Sequence, residues 1–536
     1  MTSTLLRGGV VHTRADSFAT AMLVVDDTVA WVGSDAAADA AFPDLGTLDE
    51  VVELDGALVT PAFVDAHVHA TSTGLALTGL DLTDTASLAE ALDRLERFTR
   101  QRRGVGVQLG HGWDESRWPE GRPPTRQELD RASYGGTVYL TRIDVHSAVA
   151  SSALLAALPE ARALPGWSDD GLLTRDAHHA ARSAAMAAIT PTMRTAAQRA
   201  TRARAAALGI GAFHELGGPE ISSEVDFTAM LALAAAEPGP DVFGYWGELG
   251  GVERARELGA LGAAGDLFAD GALGSHTAYL RTVYADADGA GYGYLTAAQV
   301  RDHVVACTRA GLQAGFHVIG DGATDAVVAG LTEAAEVVGV AAIRSARHRL
   351  EHLEMPDAGH LAELARLGVY ASVQPVFDAL WGGEDGMYVE RLGAKRARGM
   401  NPFAAMTSAG LPLALGSDSP VTPLGPWETV RAAAFHQTTE SRLTVRAAFA
   451  AHTRGGWRAA GLDDAGVLAP GAPATYAVWA AGDLVVQTPD ERVASWSTDP
   501  RAGVPGLPDV SPGAPLPTCL RTVVRGRTVY QREEAA

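Results

Sequence analysis

Between about residues 200 and 420, short apolar runs alternate with alanine-rich stretches of helical length, and this alternation constrains the fold more than any other feature of the chain. Apolar runs of strand length separated by helices mark parallel βαβ units, whose strands are buried on both faces. Candidate strands fall at 211–216, 242–246, 266–269, 312–319, 348–353, 369–374 and 411–416, and the run ending in Ala66-His67-Val68-His69 makes eight. Eight such units predict an α/β architecture, a closed (β/α)8 TIM barrel.

The two ends of the chain read differently. Short β segments separated by turn residues occupy residues 1–60 and return at 474–479 and 521–530, and neither set has enough strands to close a core alone. The expectation is a β-sandwich built from both termini, its halves at 1–60 and 455–536, around a barrel spanning 61–454. Residues from about 71 to 200 are too long for a simple connection and carry strand-like runs of their own, at 106–109 and 137–141. They predict an α/β insertion after the first barrel strand, lying over the barrel mouth.

Charge and composition exclude several classes of function. A formal net charge of −21 argues against nucleic acid or an anionic membrane as the main partner. The two cysteines, Cys307 and Cys519, are far apart and suggest neither a disulfide framework nor a thiolate metal site. The start of the chain lacks a basic segment followed by an apolar run, and the apolar stretch 323–342 is broken by Asp325, Glu333 and Glu336. A cytoplasmic protein with a small-molecule substrate is the expectation, with a homo-oligomer left open. Lys395 is the only lysine.

The sharpest chemical signal is Pro61-Ala62-Phe63-Val64-Asp65-Ala66-His67-Val68-His69. Residues two apart on a strand share a face, so His67 and His69 aim two imidazoles at one point. His317, His352 and Asp418 fall at the ends of later candidate strands, the edge of a barrel where chemistry is built. Imidazoles with a carboxylate are the ligand set of catalytic zinc and similar divalent ions. Gly320-Asp321-Gly322 reads as a tight turn after a strand and not as a phosphate loop.

The order HxH, His, His, Asp on successive strands resembles the amidohydrolase superfamily. Within it the chain is similar to the family-3 amidohydrolases that include N-substituted formamide deformylases, through Gly112-Trp113-Asp114, Leu140-Thr141-Arg142-Ile143-Asp144-Val145-His146, Phe268-Ala269-Asp270-Gly271-Ala272-Leu273-Gly274-Ser275 and Gly416-Ser417-Asp418. The resemblance implies a metal-dependent hydrolase that cleaves a non-peptide C–N bond, amide or formamide-like, through metal-activated water. The alternatives are a mononuclear deaminase and a non-catalytic metal-binding homologue.

The resemblance also implies a metal held by His67, His69, His317, His352 and Asp418. Where related enzymes carry a bridging carboxylated lysine, this chain has Asp266. One divalent ion, zinc first among those that accept such ligands, is favoured over two. It is expected on His67, His69, His317 and Asp418, with Asp418 as proton shuttle and His352 free to stabilise the oxyanion. In the alternatives, Asp266 ligates metal directly, or His317 and His352 hold a second, weaker ion. Asp65, on the same strand face, is expected either to orient one of the histidines or to form a structural salt bridge. Trp113, Asp114, Arg142, His146, His214, Asp270 and His276 are candidates for the substrate pocket because they sit in, or near, the matching stretches; His276 stands where the family often has arginine.

Overall fold

The structure is a computed structural model that describes residues 2–102, 106–142, 147–219, 221–487, 496–497 and 506–533. Eight parallel strands form one sheet: β1 (Phe63–Val68), β2 (Ile210–Gly217), β3 (Asp241–Trp246), β4 (Gly262–Ala263), β5 (Gln313–Val318), β6 (Arg349–His352), β7 (Tyr370–Val373) and β8 (Leu413–Leu415), in chain order around the sheet. At the seam, Asp418 N–H donates to His67 C=O at 2.8 Å and His69 N–H to Ser419 C=O at 2.9 Å. The approach is close enough to require glycine at 416, where a Cβ would lie 2.7 Å from His67 N. This is the (β/α)8 barrel that the alternation of apolar runs predicts.

One strand differs from its expected position. The fourth is a two-residue strand at Gly262–Ala263, and the apolar run at 266–269 follows it as an irregular segment. Gly265, at φ +99°, turns the chain out of the strand, and the segment is then carried by β5, with His317 N–H donating to Leu267 C=O at 3.0 Å and Ala269 N–H to His317 C=O at 2.9 Å.

The two ends of the chain meet in shared β structure. Leu58–Pro61 pairs antiparallel with Tyr476–Ala480 in a five-stranded sheet, while Ser3–Arg7, Ala21–Val25, Thr28–Gly33 and Glu50–Glu53 form a four-stranded one. Leu6, Met22, Val24, Val59, Tyr476, Val478 and Val523 pack into one buried cluster drawn from both sheets. Residues Ala70–Thr201 form a separate compact unit. Its five-stranded sheet, in the order Leu172–Thr174, Ser147–Ala150, Val138–Arg142, Gln108–Trp113 and Leu80–Asp81, is apolar on both faces: Trp113, Val138 and Leu140 pack on one side, Leu109, Tyr139 and Ala148 on the other. Both cysteines are buried, and among the described residues no single helix is long and apolar enough to cross a membrane.

Two buried histidines brace the barrel as neutral rings. His348 Nδ1 accepts from Ala314 N–H at 2.9 Å, and His452, on a π-helical turn, bonds through Nδ1 to Val64 C=O at 3.0 Å. Burial lowers His348 to about 3 and His452 to about 4. The unfolded chain, with histidines near pH 6.5, takes up protons below that pH while the native rings do not. Stability contributed by these rings is therefore complete above about pH 6.5 and is lost as pH falls toward 4. We expect the melting temperature to fall between pH 7 and pH 4.5, and less steeply in His348→Gln. Parallel profiles for the two proteins would contradict the assignment.

Candidate metal centre

Four imidazoles and two carboxylates converge at the C-terminal ends of the barrel strands. His67 and His69 lie at the end of β1, Asp266 follows β4, His317 and His352 lie on β5 and β6, and Asp418 follows β8. Asp418 Oδ1 is 3.4 Å from His67 Nε2 and 3.2 Å from His69 Nε2. Asp266 Oδ2 is 3.4 and 3.2 Å from the same two nitrogens, and its Oδ1 is 3.6 Å from His317 Nδ1 and 3.7 Å from His352 Nε2. Donor atoms of His67, His69 and Asp418 lie within 4.8 Å of one another, as do those of His67, Asp266 and His352.

The ring nitrogens that face away from this centre decide the chemistry of those that face it. His67 Nδ1 bonds to Glu351 Oε2 at 3.0 Å, His69 Nδ1 to Leu216 C=O at 3.0 Å, and His317 Nε2 to Gly271 C=O at 3.3 Å. His352 Nδ1 bonds to Gln374 Oε1 at 2.8 Å, while the amide nitrogen of Gln374 donates to Ser372 C=O at 3.4 Å. Each partner is an acceptor, so each outward nitrogen carries the proton and each inward one presents a lone pair. Lone pairs thus face carboxylate oxygens, an arrangement that is repulsive unless a cation lies between them. The buried atoms His67 Nε2, Asp266 Oδ1 and Asp418 Oδ1 have no hydrogen-bond partner. The donor set therefore fits a divalent metal ion.

Protons are the simplest cations the centre can hold. Burial alone would lower His69, but the carboxylates of Asp266 and Asp418 beside it outweigh this and push the ring up to about 10. His67 and His317 are raised by the same carboxylate, Asp266, against the same opposing effect of burial. Three non-glycine residues of the centre adopt left-handed backbone: His352 at φ 69°, Leu353 at φ 45° and Asp418 at φ 57°. Such conformations cost about 1–3 kcal/mol each and persist where the surroundings over-determine them.

Beneath the histidines lies a fully buried charge network. Arg349 Nε donates to Glu351 Oε1 at 2.6 Å, Nη2 to Ala66 C=O at 2.8 Å and Nη1 to His214 Nδ1 at 2.8 Å. Burial alone would raise Glu351, yet the Arg349 charge holds it at about 2. These two residues were not among the candidates. The signal was available in Arg349-Leu350-Glu351-His352, where two opposite charges two apart share one face of a strand that otherwise reads as core.

The structure gives the other candidate residues the following partners. Asp65 does not hold an imidazole: its Oδ1 accepts the backbone N–H groups of His67 at 3.2 Å and Ser417 at 2.9 Å, joining β1 to the segment after β8. Asp270 is fully buried and accepts the backbone N–H groups of Ile319, Gly320 and Tyr279. His214 is spent on Arg349, which together with burial lowers it well below its ordinary value. His276 pairs with Asp286 at 3.0 Å. Trp113 is core of the unit Ala70–Thr201, its indole N–H donating to Leu140 C=O at 2.9 Å, and in the same unit Asp114 pairs with Arg142 at 3.3 Å. His146 lies outside the described residues.

The profile of the amidohydrolase family matches residues 50–530. The chain belongs to the amidohydrolase family. It is a metal-dependent hydrolase of that superfamily. This amidohydrolase is 27% identical over 535 residues to Protein LONG AFTER FAR-RED 3 of Arabidopsis thaliana, covering 88% of this chain and 86% of the plant protein. It is 33% identical over 143 residues to N-substituted formamide deformylase of Arthrobacter pascens, covering 26% of each. The structure of an uncharacterized metal-dependent hydrolase from Pyrococcus horikoshii OT3 superposes with a TM-score of 0.74 at 25% identity, over 91% of this chain and 98% of the other.

Proposed function

We propose that this amidohydrolase cleaves a non-peptide C–N bond, amide or formamide-like, in a small molecule. The observation that carries this reading is the set of four imidazole lone pairs, each fixed by a bond on the far side of its ring, turned toward Asp266 and Asp418. A divalent ion bound there supplies Lewis acidity, which acidifies water near neutral pH and polarises a carbonyl. Asp418 Oδ1 accepts the proton of the attacking water and returns it to the leaving nitrogen, which departs poorly as an amide anion and readily as an amine. Its place beside His67 and His69 without a hydrogen-bond donor of its own suits that traffic. His352, with Nδ1–H committed to Gln374, is better suited to ligation through Nε2 than to donating to an oxyanion. Kinship over part of the chain with a formamide deformylase supports the amide class over the deaminase alternative.

The test is a panel of N-formyl amines, N-acyl amines and cyclic amidines, assayed with protein stripped of metal and then refilled with zinc, manganese or nickel. Release of amine and carboxylate that appears only on refilling is the expected result. Ammonia release from amidines alone would replace this reading with the deaminase one. Turnover by the stripped protein would remove the metal from the chemistry.

A further inference from the structure

We infer that a cavity remote from the metal centre binds a small planar carboxylate. It lies where the residues leading into β2, the helix Pro426–Ala434 and the strands Thr518–Val524 and Arg527–Gln531 meet, within the compact unit that carries the barrel. Trp427 and Trp479, which line it, pack on Phe63 with ring centroids 5.0 and 5.8 Å away. Phe63 is the first residue of β1, so the cavity adjoins the end of that strand opposite His67 and His69.

The cavity holds about 270 Å³, near the lower limit of small-molecule sites, about 300–1,000 Å³. Its occupant is therefore close to the size of a single aromatic ring. The walls are fixed in advance. Arg431 ties the chain before Leu516 to its own helix, Nε donating to Val510 C=O at 2.9 Å and Nη2 to Ala514 C=O. Trp479 Nε1 donates to Thr60 Oγ1 at 2.9 Å, and Trp427 stacks on Phe449 at 5.5 Å. Leu208, Leu516 and Pro517 add apolar surface beside the two indoles.

The polar part of the lining calls for an anion. Its charged residues are Arg204, Arg532 and Glu428, and among the described residues neither arginine has an ion pair or a side-chain hydrogen bond. Glu428 turns back on the start of its own helix, so closely that a Cβ at Gly425 would lie 2.9 Å from its Oε2. There an acidic side chain is stabilised by free backbone N–H groups and by the helix dipole. Two guanidinium groups against one carboxylate leave positive charge in excess. A singly charged carboxylate neutralises it and matches the planar guanidinium fork, whereas a phosphate near neutral pH brings a second negative charge beside Glu428. The wall also lacks an acceptor: the Trp427 indole N–H is buried with no hydrogen-bond partner, a state that protein interiors seldom leave unfilled.

The test is isothermal titration calorimetry on metal-loaded protein with benzoate as the probe, beside phenyl phosphate and the neutral benzyl alcohol. Benzoate is expected to bind once per chain with a dissociation constant below about 1 mM, and each of the others about tenfold more weakly or worse. Arg204→Gln/Arg532→Gln is expected to weaken benzoate about tenfold or more and to leave the melting temperature unchanged, since neither arginine has a partner to lose. Undiminished binding in that variant would put the probe elsewhere, such as on the metal, and overturn the site. Equal affinity for benzyl alcohol would remove the anion from the recognition, and phenyl phosphate binding as tightly as benzoate would overturn the carboxylate. No heat from benzoate would overturn the whole inference.

Discussion

Asp418→Asn is expected to leave the metal content unchanged while turnover falls by about 10²–10⁴, the usual contribution of a positioned proton-transfer group. Asparagine tolerates the left-handed backbone that residue 418 adopts, and the backbone bond from its N–H to His67 C=O is kept. The amide oxygen can still face the imidazoles of His67 and His69. What is lost is a group that accepts and releases a proton at Oδ1. The fall should therefore appear in kcat, with KM little changed, because the interaction removed is made in the transition state. Metal per chain by elemental analysis and steady-state kinetics on a substrate found in the panel check both halves. Turnover within about twofold of wild type would sink the shuttle role, and loss of metal would show that Asp418 acts first as a ligand.

Much of this centre is legible in the sequence because strand geometry converts spacing directly into position. His67 and His69, two apart on β1, stand with ring centroids 5.2 Å apart; His317 and His352 come within 4.5 Å because both close parallel strands that are neighbours in the sheet. The fourth strand is less legible. Gly262-Ala263-Ala264-Gly265 has no bulk to mark it as a strand, while Asp266-Leu267-Phe268-Ala269 looks like one and is held instead as an extension beside β5. That difference places Asp266 among the histidines, a point that spacing could not supply.

The substrate-pocket candidates illustrate the opposite limit. Trp113, Asp270 and His214 lie in or beside matching stretches, but a match does not say whether a side chain faces a ligand or holds the fold. Burial and hydrogen bonding give Trp113 to a core, Asp270 to three backbone N–H groups and His214 to Arg349. Arg349 and Glu351 are the reverse case: their spacing on a core-like strand marks them as a pair, and their full burial gives that pairing its weight.

That pair gives the second large effect. Glu351→Leu is expected to destabilise the protein by about 3–5 kcal/mol, because it leaves the Arg349 guanidinium as an unpaired buried cation. It should also weaken metal binding about 10–100-fold, because His67 Nδ1 loses the acceptor that fixes its ring and tautomer. The two losses have different causes, and the double variant Arg349→Met/Glu351→Leu separates them. Removing both charges takes away the unpaired cation, so most of the stability should return, tempered by the lost packing of Arg349 over the Tyr245 ring at 4.4 Å. Metal affinity should not return, since nothing in the double variant accepts the His67 proton. Melting temperature and metal dissociation constants, measured on the wild type and both variants, decide the matter. If affinity recovers along with stability, the carboxylate serves the fold alone and His67 is held in place by the strand.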